Sequence, residues 1–102
     1  MIRGTTPTHA FRTSISLVDA EKVAVTYKQG KIILEKNKED CIITAETLTT
    51  ELTQEETFMF KEVGYKAQVQ ITAEFMQGEK PKVFKSNIMT VNVAKSLREK
   101  VM

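Results

Sequence analysis

The chain is poor in the residues that build covalent or metal-dependent chemistry. It has one cysteine, one histidine, two prolines, four glycines and no tryptophan among its 102 residues. A lone Cys41 can form no internal disulfide and supplies no cysteine zinc site. With His9 as the single histidine, a nucleophile–histidine system would need it beside Cys41 or a serine and oriented by a third group. No Gly-x-Ser-x-Gly or comparable positioning motif surrounds it. The glycines stand singly, in "KQGK" and "MQGEK" among others, so they make turns and not phosphate cradles. "NKED" followed by "CIIT" lacks the oxygen-ligand ladder and central glycine of a calcium loop. No cofactor, metal or small-molecule substrate is therefore expected, and no catalytic residue can be nominated.

Charge of one sign is lacking too. Fifteen Lys/Arg against thirteen Asp/Glu leave +2, too small an excess to favour nucleic acid or an anionic membrane. Lys80, Lys82 and Lys85 cluster, as do Lys95, Arg98 and Lys100, but Tyr27, Phe58, Phe60, Tyr65 and Phe75 fall mostly at core positions, leaving few aromatics for stacking bases. Lysines beside an edge strand also act as charges against aggregation. No apolar run approaches the roughly 18–20 residues that span a bilayer, and "MIRGTTPTHAF" has no apolar signal core, so a secretory leader is not expected. A reducing cytoplasm, or a particle assembled there, is the expected setting.

What is present is period-2 alternation. An apolar fraction of 41% over 102 residues suits one small domain with a single core. "KVAVTYK" places Val23, Val25 and Tyr27 on one face, followed by a Gln29-Gly30 hairpin into "KIILEK". "NKED" reads as a polar turn. "CIIT" pairs with "TLTTEL" through Ala45-Glu46, with Leu48, Thr50 and Leu52 sharing a face. "YKAQVQITAEF" directs Tyr65, Ala67, Val69, Ile71, Ala73 and Phe75 inward. "MQGEKPK" turns the chain, with Gly78 and Pro81 as punctuation. In "VFKSNIMTVNV", Met89, Val91 and Val93 keep the inward register but Phe84 is out of phase, which predicts a bulge near Ser86-Asn87. "THAFRT" reads as a short edge strand behind Pro7. About seven strands with turns every eight to twelve residues predict an immunoglobulin-like antiparallel β-sandwich, with a small OB-like barrel as the alternative. The domain covers 1–102, with flexible or contact-making ends at 1–7 and 95–102. One helical turn is expected at "TQEET", and the tail "AKSLREKVM" places Val93, Leu97 and Val101 on one helical face.

Glu55 and Glu56 are the one acidic pair that resembles an active site. Thr53-Gln54-Glu55-Glu56 matches a capping box, in which Thr53 and Glu56 satisfy each other's backbone N–H. Adjacent side chains on a helix diverge by about 100°, so the pair cannot converge on one atom. Cys41 opens an apolar strand as a small hydrophobe, and His9 reads as a surface or edge residue.

"MIRGTTPTHAF", the hairpin "VTYKQGKIILEK" with the following "EDC", "LTQEET" and "SNIMTVNV" together resemble small prophage proteins of Gram-positive bacteria. The resemblance spans nearly the full length and implies a complete, β-rich gene product from the tail or baseplate region of a phage genome. It implies no functional residues. Where relatives carry an Asp-Gly or Gly-Asn turn, this chain has "TAET". The expected function is that of a non-enzymatic phage structural or accessory protein acting by protein–protein contact in a virion or tail assembly. The alternative is a small regulatory or nucleic-acid-binding module. Expected partners are other phage structural proteins or a second copy, with no membrane, in the bacterial host cytoplasm during assembly or in the virion. The candidate contact residues are Ile2, Arg3, Pro7, His9, Leu97, Arg98 and Val101.

Overall fold

A computed structural model describes residues 1–61 and 66–94. The strands are β1 (Thr8–Arg12), β2 (Lys22–Gln29), β3 (Ile32–Asn37), β4 (Cys41–Ile43), β5 (Thr47–Glu51), β6 (Ala67–Gln77), β7 (Lys80–Lys85) and β8 (Met89–Val91), with one helical turn, α1 (Gln54–Phe58), between β5 and β6. They form a three-stranded sheet in the order β1-β5-β4 and a five-stranded sheet in the order β3-β2-β6-β7, with β8 also on β6. All strand pairs are antiparallel. The two sheets do not close into one barrel. Reading β1 as strand B, β2 as C and β6 as F gives B-E-D facing C′-C-F-G, the strand order of an immunoglobulin-like sandwich.

The period-2 pattern built this arrangement. Val23, Val25 and Tyr27 of β2 lie against Ala67, Val69, Ile71 and Ala73 of β6, all buried, and Leu48, Leu52, Leu17 and Phe60 complete the core. Tight turns set the register. Gly30, at φ +60°, opens a two-residue turn that closes on the Gln29–Ile32 pair, and glycine takes that conformation without steric cost. "NKED" forms a 3₁₀ turn over Lys38–Asp40 capped by Asn37.

The bulge expected from the phase of Phe84 is present. Thr72 pairs with Lys85 and Val69 with Met89, so β6 advances three residues while the opposite strand advances four. Gln68 pairs with both Lys28 and Thr90, which places β8 on the flank of β6 away from β2. Thus β7 and β8 are one interrupted edge strand, and the extra residue returns Phe84 and Met89 to the same inner face. Ser86 fills the gap: its N–H donates to the Ile71 carbonyl (2.9 Å) and its Oγ accepts from the Ile71 N–H (2.9 Å).

Two boundaries differ from expectation. The long strand runs from Ala67 to Gln77, two residues later than the alternation suggested, and Tyr65 lies outside the described residues. Pro81 belongs to β7, opposite Met76, and the turn is Gly78-Glu79 alone. On an edge strand a proline can face away from its neighbour, where its missing N–H breaks no ladder bond.

The capping box holds in full. The Glu56 N–H donates to Thr53 Oγ1 (3.2 Å) and the Thr53 N–H to Glu56 Oε1 (2.8 Å). Glu55 is exposed and Glu56 half-buried, so the two carboxylates diverge. Thr53→Ala is expected to lower stability by about 1 kcal/mol in urea denaturation, with an unchanged slope.

Candidate functional site: the N-terminal strap and the sheet edges

The first residues of the chain cross one end of the sandwich and are tied into it. Ile2 forms a parallel bridge with Ala94; the Arg3 N–H donates to the Ala94 carbonyl (3.0 Å) and the Ala94 N–H to the Met1 carbonyl (2.8 Å). The Met1 ammonium donates to the Asn92 carbonyl. The segment next docks on α1. Thr57, fully buried, accepts from the Gly4 N–H (2.8 Å), and the Gln54 amide donates to the Gly4 carbonyl (3.0 Å). Arg3 donates to the Phe58 carbonyl (3.2 Å), and its guanidinium carbon lies 5.4 Å from the Phe58 ring centroid, a cation–π contact.

Gly4 makes this crossing possible. Its φ is +79°, and a Cβ there would lie 2.6 Å from the tip of Phe58. Gly4→Ala is expected to cost about 1–2 kcal/mol from the left-handed backbone alone, read as a lowered urea midpoint, together with displacement of Phe58.

The candidate contact residues therefore have different surroundings. Ile2 is 51% exposed on the outside of the strap. Arg3 covers Phe58. The Pro7 carbonyl accepts from the Leu52 N–H (3.0 Å), starting the β1–β5 ladder. His9 sits on the edge strand β1, as expected, but its side chain points between the sheets and not out to the surface. Its Nδ1 is 2.7 Å from the hydroxyl of Tyr27, which is itself fully buried, and burial lowers the His9 pKa, with the N-terminal ammonium adding to the shift. Leu97, Arg98 and Val101, with the tail helix, lie outside the described residues.

His9, Thr50 and Cys41 share one row across the three-stranded sheet. Two strand spacings, about 10 Å, separate the imidazole strand from the thiol strand, so no Cys–His couple forms in this fold. Cys41 is half-buried, and burial pushes its thiol pKa up, away from the thiolate that a nucleophile needs. Tyr27 also has a raised pKa, through burial first and then the nearby Cys41 and Glu56. Among the described residues no group of three or more His, Cys, Asp or Glu side chains could hold a metal ion, and no helix is long and apolar enough to cross a membrane.

One charged contact lies inside the sandwich edge without a sequence motif to announce it. Lys36 is 9% exposed, and its ammonium reaches both oxygens of Glu56 at 2.8 and 3.0 Å. This ion pair joins β3 to α1. The signal was in the alternation: Lys36 shares the inward phase of Ile32 and Leu34, where a lysine needs a partner.

The surface is richer in apolar side chains than in clustered charge. On the outer face of the five-stranded sheet, Ala24, Thr26, Gln70 and Thr72 form a flat centre, while Ile33 (56%), Val83 (58%) and Ile88 (60%) stand exposed around it. Lys82 and Lys85 pair with Phe75 and Thr72, on opposite faces of β7, so this lysine cluster does not form one basic face. Compared with known proteins, the chain matches no protein-family model and no curated protein sequence.

Proposed function

We propose that this protein is a non-enzymatic phage or prophage structural or accessory protein that works by protein–protein contact in a virion or tail assembly. The observation that carries the contact reading is the exposure of Ile33, Val83 and Ile88 around the flat centre of one sheet face, apolar surface that a partner docked on that face would cover. The phage setting rests on the resemblance of "MIRGTTPTHAF", "LTQEET" and "SNIMTVNV" to small prophage proteins. Mass spectrometry of purified phage particles tests it: the chain is expected at a fixed stoichiometry with the tail proteins. Its absence from particles, together with a mass in size-exclusion chromatography that phage lysate leaves unchanged, overturns this reading. The alternative of nucleic-acid binding predicts a steep loss of affinity for DNA or RNA with salt.

A further inference from the structure

The two sheets differ in width, and beyond β1 no described residue of the small sheet covers the wider one. Phe84 and Met89 face inward yet stay only partly buried, whereas their partners on β6, Ala73 and Val69, are at most 1% exposed. Between these two side chains and Arg12–Ser14 at the end of β1 runs an open cleft of about 360 Å³ that reaches Ile71. The hydroxyl of Thr13, which lines it, is buried with no hydrogen-bond partner among the described residues.

Among the described residues the backbone of β1 has no partner on this side. The bonds Leu52 N–H to Pro7 and Thr13 N–H to Glu46 fix the alternation of the ladder, so Pro7, His9, Phe11 and Thr13 spend their backbone groups on β5. Thr8, Ala10 and Arg12 turn theirs away from the sheet. The other edges are blunted: β7 carries Pro81 at a position facing away from β6, β4 has three residues, and β3 spends the Asn37 N–H on Asp40.

We propose that the β1 edge and this cleft bind an extended segment of a partner protein as a fourth strand of the small sheet. An apolar side chain of that segment covers Phe84 and Met89, and a carboxylate on its outward face lies beside Arg12. Strand addition of this kind draws affinity from main-chain bonds and specificity from alternate side chains. The charge follows from Arg12, exposed at the end of β1, and from a lining that holds no carboxylate among the described residues. A second copy pairing through its own β1 is a poorer occupant, because twofold pairing would bring the overhanging β7 strands of both copies into one space. The proposal rests on the contact-making reading above and narrows it to one edge.

The test is an amide-shift titration of the ¹⁵N-labelled full chain with the blocked peptide Asp-Val-Thr-Val-Thr-Val-Asp. Saturable shifts confined to Thr8–Ser14 and Phe84–Met89, with slowed exchange of the Ala10 N–H, are expected. Ala10→Pro removes an outward N–H and no ladder bond, and should weaken binding about tenfold, the equivalent of one hydrogen bond. The variant Arg12→Glu keeps the edge intact and should prefer a peptide flanked by lysines. No saturable shift, shifts centred on β3 or the outer sheet face, or unchanged preference in Arg12→Glu would overturn the proposal. Particle mass spectrometry is independent of this outcome, so failure of the strand site and failure of the phage reading are told apart.

Discussion

Phe60→Ala is expected to lower the stability of the folded protein by about 3–5 kcal/mol, the range for deleting a fully buried aromatic ring. Phe60 is 0% exposed and meets Tyr27 edge-on, with ring centroids 6.3 Å apart. Tyr27 in turn is bonded to His9 across the sandwich. Truncation therefore opens a cavity and removes the aromatic pair, itself worth about 0.5–1.5 kcal/mol. Small domains hold only about 5–15 kcal/mol in all, so the variant sits near the edge of folding. In urea the midpoint should fall sharply with the slope preserved. A loss below about 1 kcal/mol would mean that this end of the core is not packed as described.

Lys36→Ala carries the second-largest expected effect, about 2 kcal/mol. Removing one member of a fully buried pair costs about 3–5 kcal/mol, and the partial exposure of Glu56, 21% for its side chain, reduces that. The pair also sets a pH dependence. Burial opposes ionisation of Glu56, but the ammonium of Lys36 and the Thr53 N–H outweigh it, and the folded-state pKa is lowered. With a folded pKa below the unfolded one, the unfolded chain binds the proton more tightly. The contribution is thus complete above the unfolded value, about 4.3, and disappears as pH falls through the folded value. His9 acts in the same direction at higher pH. Its lowered pKa gives stability that is complete above about 6.5 and is lost as the buried ring protonates. Urea midpoints should therefore fall in two steps on acidification. Lys36→Ala should flatten the lower step, and His9→Gln should remove the upper one.

The strands and the cap were legible because their signals are local. Alternation in "KVAVTYK" fixed which face of β2 was buried, and the phase conflict between Phe84 and Met89 located the bulge before any neighbour was known. Thr53 and Glu56 stand three residues apart, within the reach of one turn. The strap was not legible, because Ile2 and Ala94 meet from opposite ends of the chain and neither belongs to a periodic run. Pro81 carries a turn signal because its ring suits one; whether it can sit in a strand depends on which strand lies at the sheet edge. His9 shares the inward phase of Phe11, but five residues of an edge strand carry too short a pattern to reveal that. The cleft beside β1 depends on the unequal widths of two sheets, a property of strand order that no stretch of sequence encodes.

The bridge between Ile2 and Ala94 has a consequence for how the chain is made. During synthesis the N-terminal residues leave the ribosome first, yet their partner strand is among the last described segments to follow. Until residue 94 clears the exit tunnel, Gly4 and Arg3 can dock on α1 but cannot pair with β8's extension, and closing so long a loop carries an entropic cost. This end of the sandwich therefore stays unfastened until the segment that carries Ala94 has been made and placed, and the strap is a late contact in folding.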